Sequence, residues 1–103
     1  MERIEKLRAF LESNPADSFV QHALALEYIK LGDDATAKSL FLLLLEREPN
    51  YVGSYYHLAK LLERQEETDE AILWYERGMA IAKSLGEMHA YGELRGAFEE
   101  LTF

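Results

Sequence analysis

Apolar residues recur at three- and four-residue intervals along most of the chain, the spacing that lines up one face of an α-helix. Near the start, Ile4, Leu7, Phe10 and Leu11 form such a stripe and predict a first helix from about Glu2 to Ser13. Asn14-Pro15 ends it, because the residue before a proline is pushed out of helical geometry. Asp17 is suited to cap a second helix reaching about Leu31, and Gly32 supplies its C-terminal turn. Asp33 or Asp34 then caps a third helix, which ends near Arg47 ahead of Pro49. A fourth is expected from just after Asn50 to about Gln65, and a fifth from Thr68 to about Leu85, where Gly86 stops it. The sixth carries Met88, Tyr91, Leu94, Phe98 and Leu101. No segment alternates with period two, so no sheet is expected, and short connections make successive helices antiparallel neighbours.

Residues 18–51 and 52–85 read as one 34-residue unit written twice. The first copy has Leu24-Ala25, Tyr28, Gly32, Ala37, Phe41 and Pro49; the same offsets in the second hold Leu58-Ala59, Leu62, Glu66, Ala71, Tyr75 and Lys83. Only three of the 34 positions are identical, yet all three pairs (Leu24/Leu58, Ala25/Ala59, Ala37/Ala71) fall where two helices must touch. A period of this length marks an array of helix pairs, and such arrays bind rather than catalyse.

The pattern resembles the tetratricopeptide repeat. That family places a small residue on each helix where the pair crosses, here Ala25 with Ala37 and Ala59 with Ala71. Large apolar residues surround them, and a proline such as Pro49 closes the unit. Four positions depart from the pattern: Gln21 where a large apolar residue is usual, Leu44 for a small one, Glu66 for the turn glycine and Lys83 for the proline. Pro15 lies 34 residues before Pro49, so residues 1–15 are expected to be the tail half of a preceding unit. The resemblance implies an all-α, right-handed superhelical stack in one domain, 1–103. Its parts are a flanking helix in 1–15, units at 18–51 and 52–85, and a capping helix in 86–103. Glu87, Glu93, Arg95 and Glu99 give that last helix a polar outer face, while Gly92 and Gly96 weaken it by about 1 kcal/mol each relative to alanine.

In arrays of this kind the first helix of each unit lines a concave groove. The resemblance assigns to it Phe19, His22, Leu26, Ile29 and Lys30 in the first unit, and Gly53, Tyr56, Lys60, Glu63 and Arg64 in the second. An apolar half beside a mixed half with basic residues at its edge predicts a peptide or partner helix with an apolar anchor and an acidic flank. Some members grip a peptide's C-terminal carboxylate with lysines and asparagines; here the matching positions hold His22, Leu26 and His57, with Lys60 alone, so that function is not implied. Tyr28, Phe41, Tyr55 and Tyr75 sit at core offsets, whereas Tyr56 and Trp74 are expected to be partly exposed.

Composition narrows the alternatives. At 49% hydrophobic and 29% charged residues, the 103-residue chain has the make-up of an ordinary folded domain. It has no cysteine, which removes disulfides and thiolate metal sites. The alternating charges of residues 2–6 do not form a signal peptide, and the longest uncharged apolar run, residues 40–45, is too short for a bilayer; the cytoplasm is the expected compartment. A net charge of −8 disfavours nucleic acid and anionic lipid as partners. Glu63, Glu66, Glu67, Asp69 and Glu70 cluster around a turn and a helix start, where acidic side chains suit the helix dipole.

His22, His57 and His89 are the only candidates for catalysis or metal binding, and no HExxH, GxSxG, phosphate loop or CxxC accompanies them. A non-enzymatic protein-interaction module with no cofactor is therefore the expected function. Two rivals remain. Leu42 and Leu43 lie at offsets usually polar on the outer face, which favours a self-associating scaffold unit, a homodimer through those leucines. A small histidine-dependent metal protein or hydrolase is the other.

Overall fold

The computed structural model describes residues 2–103, and every regular element among them is an α-helix. The six are α1 (Glu2–Ser13), α2 (Ser18–Lys30), α3 (Asp34–Arg47), α4 (Gly53–Arg64), α5 (Thr68–Ser84) and α6 (Met88–Thr102). Asp17 caps α2 by accepting from the Val20 amide at 3.0 Å, and Asp33 caps α3 by accepting from the Thr36 amide at 3.1 Å. Contacts divide the chain into two compact units, the first ending at Glu48 and the second starting at Pro49.

In the first unit α2 and α3 form a helical hairpin and α1 packs on α2. Its core is Leu24, Ala25 and Tyr28 from α2 with Ala37, Phe41, Leu44 and Leu45 from α3. Both alanines are fully buried, as a close helix crossing requires. Each large apolar side chain adds about 1.5–3 kcal/mol through its burial. Ile4 is the α1 residue that buries fully, and Phe10, on the same predicted stripe, stays 46% exposed. α1 meets chiefly one neighbour, so only a narrow strip of it is covered. Polar ties do the rest: Arg8 Nε donates to the Tyr28 hydroxyl at 2.7 Å with its guanidinium 5.3 Å above that ring, and Arg3 pairs with Glu27 at 3.2 Å.

In the second unit α4 and α5 make the equivalent hairpin, and α6 packs along α5 and touches α4. Leu58, Ala59, Leu61 and Leu62 meet Ala71, Tyr75, Gly78 and Ala82, and Leu94 and Ala97 close the core from α6. The Tyr55 hydroxyl donates to the Pro49 carbonyl at 2.6 Å, tying the chain ahead of α4 to the helix.

The turns after α2, α4 and α5 are one structure made three times. Gly32, Glu66 and Gly86 all adopt positive φ (81°, 60° and 73°). After each, the next amide reaches back to a carbonyl five residues earlier at 2.9 Å: Asp33 to Tyr28, Glu67 to Leu62, Glu87 to Ala82. This is the Schellman termination, which glycine adopts without cost and a residue with a Cβ does not. Glu66 thus departs from the glycine pattern in residue type and keeps the turn.

Two other departures from the repeat pattern are linked. Gly78 faces Tyr55 across the α4–α5 crossing, and the same offsets in the first unit hold Leu44 and Gln21, both buried. The second unit sets a large residue against a glycine, whereas the first carries two medium-sized side chains at the same offsets. Gln21 keeps its Nε2 satisfied by donating to the Leu40 carbonyl at 3.1 Å, while its Oε1 is buried without a hydrogen bond.

Candidate functional site

The first helix of each hairpin carries the residues expected to line a groove. On α2, Phe19 is 72% exposed at the helix start, Leu26 and Ile29 are half-buried, and Lys30 is exposed but paired with Glu27 at 3.0 Å. His22 does not stand clear of the core: its ring sits edge-on to Phe41, centroids 5.6 Å apart. α1 occupies part of α2 through the Glu27 and Tyr28 contacts.

On α4, Tyr56, Lys60 and Glu63 are half-buried and Arg64 is exposed. Glu63 accepts a hydrogen bond from the Tyr75 hydroxyl of α5 and lies 3.7 Å from the Lys60 ammonium, so it ties the hairpin together. Burial and the Glu63 contact both push the Tyr75 phenol far above its ordinary range, keeping it a donor. Lys60 also stands 5.7 Å above the Tyr56 ring. Of the basic edge expected here, Lys60 is held by its own helix, as Lys30 is by Glu27, and Arg64 is exposed.

A concavity lies between α4 and α6. One cleft of about 260 Å³ is lined by Val52, Gly53, Tyr56 and His57 at the start of α4 and by Ala90, Glu93 and Leu94 of α6. A second, of about 420 Å³, adjoins it and adds Glu87, Met88 and His89. Burial holds the His57 imidazole below its ordinary pKa, and the charge of Arg64 acts the same way against the opposing pull of Glu93. The α6 residues of this cleft were not among those the sequence assigned. The signal existed: extending the 34-residue period from Tyr56 reaches Ala90, so α6 stands where a third first helix would.

The three histidines do not come together. His22 lies against Phe41 in the first unit, His57 lines the cleft in the second, and His89 is exposed with its Nε2 3.7 Å from Glu93. Among the described residues no three His, Cys, Asp or Glu side chains are grouped to hold a metal ion, and no helix is long and apolar enough to cross a membrane. Trp74 is half-buried, 5.9 Å from the Tyr55 ring and capped by the Arg77 guanidinium at 4.8 Å. Leu42 is half-buried and Leu43 59% exposed on α3.

Helical hairpins that cross at buried alanines and end in the same turn define a helix-turn-helix repeat protein. Residues 20–51 and 40–73 each match the tetratricopeptide repeat family. A tetratricopeptide repeat domain protein of Salinibacter ruber is 41% identical: its solution NMR structure superposes with a TM-score of 0.81, covering 84% of this chain and 88% of that one. The crystal structure of the Salinibacter domain gives 0.80 at the same identity, covering 84% and 96%. A solution structure from Bordetella parapertussis, 24% identical, shares the fold with a TM-score of 0.83 over 96% of this chain and 86% of that one. No curated protein matches the chain. The chain belongs to the tetratricopeptide repeat family. Its repeats make it a protein-interaction or scaffold module, on a fold that is generally non-enzymatic.

Proposed function

We propose that the chain binds a peptide or a partner helix on the exposed faces of the first helices of its repeats. The observation that carries this is the cleft between α4 and α6, where aromatic and aliphatic side chains line a concavity that no other part of the unit fills. Tyr56 fits an anchoring role, because half-buried aromatics give large contact area for little lost freedom. In the first unit, Leu26, Ile29 and the exposed Phe19 offer apolar surface of their own on α2. Exchanging Leu26 and Tyr56 together for serine is expected to abolish binding of a partner peptide while helicity and melting stay close to the parent. Loss of fold in that variant would assign both residues to the core and remove the groove.

A second reading rests on Leu43, exposed beside half-buried Leu42. In that reading two copies associate symmetrically through α3, since the same patch on each is complementary in composition.

A further inference from the structure

The charges around the α4–α6 cleft narrow what it accepts. Its walls hold two carboxylates, Glu87 and Glu93, and neither lysine nor arginine. Of the basic residues nearby, Lys60 lies beside Glu63 and Arg95 donates to Glu99 at 3.1 Å, while Arg64, at the far end of α4, acts on His57 without lining the cleft. Glu93 lies 3.7 Å from His89 Nε2 and, more distantly, acts on His57. Residues from Pro49 onward carry five basic and ten acidic side chains, so the field around the cleft is negative as well. Between the carboxylates the floor is apolar, made by Val52, Tyr56 and Leu94.

From this arrangement we propose that the cleft takes a basic peptide, with an apolar side chain seated between Val52, Tyr56 and Leu94 and a lysine or arginine beside it pairing with Glu87 and Glu93. The assignment rests on the groove reading above and reverses the acidic flank expected from the sequence. Lys60 and Arg64 drew that expectation, but the cleft lies towards the N-terminal ends of α4 and α6, where the acidic groups are. Steering follows the same sign: a cationic segment approaches a negative unit faster than a neutral one, and more so at low salt.

The test pans the full chain against random peptides displayed on phage, beside two cleft variants confirmed to be helical by circular dichroism. Ala90→Lys adds a cation and bulk to the cleft; Tyr56→Ser removes its aromatic wall. The parent is expected to enrich peptides that place lysine or arginine next to a large apolar residue, and neither variant is expected to retain them. A synthetic copy of the enriched peptide should bind Glu87→Gln/Glu93→Gln at least about threefold more weakly, the scale of two exposed charge pairs. Acidic or uncharged peptides that Tyr56→Ser loses would overturn the charge assignment and leave the groove standing, as would undiminished binding to the double glutamine variant. No enrichment at all, or basic peptides kept equally by both cleft variants, would overturn the groove as well.

Discussion

A Cβ built on Gly78 stands 2.7 Å from the Cβ of Tyr55, closer than two such atoms approach in folded proteins. The same atom meets Leu94 Cδ1 at 3.1 Å, so α4, α5 and α6 all approach closely at Gly78. The Tyr55 Cβ is fixed to its backbone and gives way only if α4 moves.

Gly78→Ala is therefore expected to destabilise the second unit even though alanine is the better helix former. Overpacking costs about 1–3 kcal/mol, against which the propensity gain is about 1 kcal/mol. The melting temperature should fall by several degrees in a thermal scan. An unchanged or raised value would mean that the crossing is looser than described.

Glu66 predicts the opposite effect. A residue with a Cβ in the left-handed region costs about 1–2 kcal/mol, and the turn needs that conformation. Glu66→Gly should raise stability by about 1 kcal/mol in denaturant titrations after the added freedom of the unfolded chain is offset. Gly32→Glu, at the equivalent turn, should lower it.

How far the sequence reached is visible in these same residues. The caps at Asp17 and Asp33, the stops at Gly32 and Gly86 and the alanine crossings were all legible, because each is a local rule read from one or two residues. Gln21 and Leu44 read as separate departures from the repeat; they stand at the offsets that Tyr55 and Gly78 hold in the second unit, whose fit against each other appears only when two helices are placed together. Tyr56 was legible as a partly exposed aromatic. Ala90 and Glu93 were not, because α6 was read as a cap rather than as the far wall of a cleft. The Lys60–Glu63 pair was readable from its spacing, but how firmly Glu63 is placed beside Lys60 needed the hydrogen bond from Tyr75 that fixes it.

His57 makes stability depend on pH with a definite sign. Its pKa is lower in the folded state than the ordinary 6.5 because burial favours the neutral ring. Its contribution is full above that value and is lost as pH falls through it towards the depressed folded pKa. Melting temperatures of the parent should drop more than those of His57→Gln between about pH 7.5 and pH 5.5. Equal drops would show that His57 is as solvated in the fold as in the unfolded chain.

The α3 leucines give the self-association reading its own check. Leu42→Lys with Leu43→Glu should sediment as a folded monomer, while the parent is at least partly dimeric near about 100 μM, a concentration well above micromolar dissociation constants. A parent that stays monomeric there would end the dimer reading and leave the groove reading untouched.

The most direct measurement is an amide chemical-shift map of the labelled full chain titrated with a peptide selected by the panning experiment. Binding in the cleft predicts that the largest shifts fall on residues 52–57 and 87–94, saturate together and vanish in Tyr56→Ser. Shifts concentrated instead on the outer faces of α3 and α5, with residues 52–57 and 87–94 unmoved, would contradict the account.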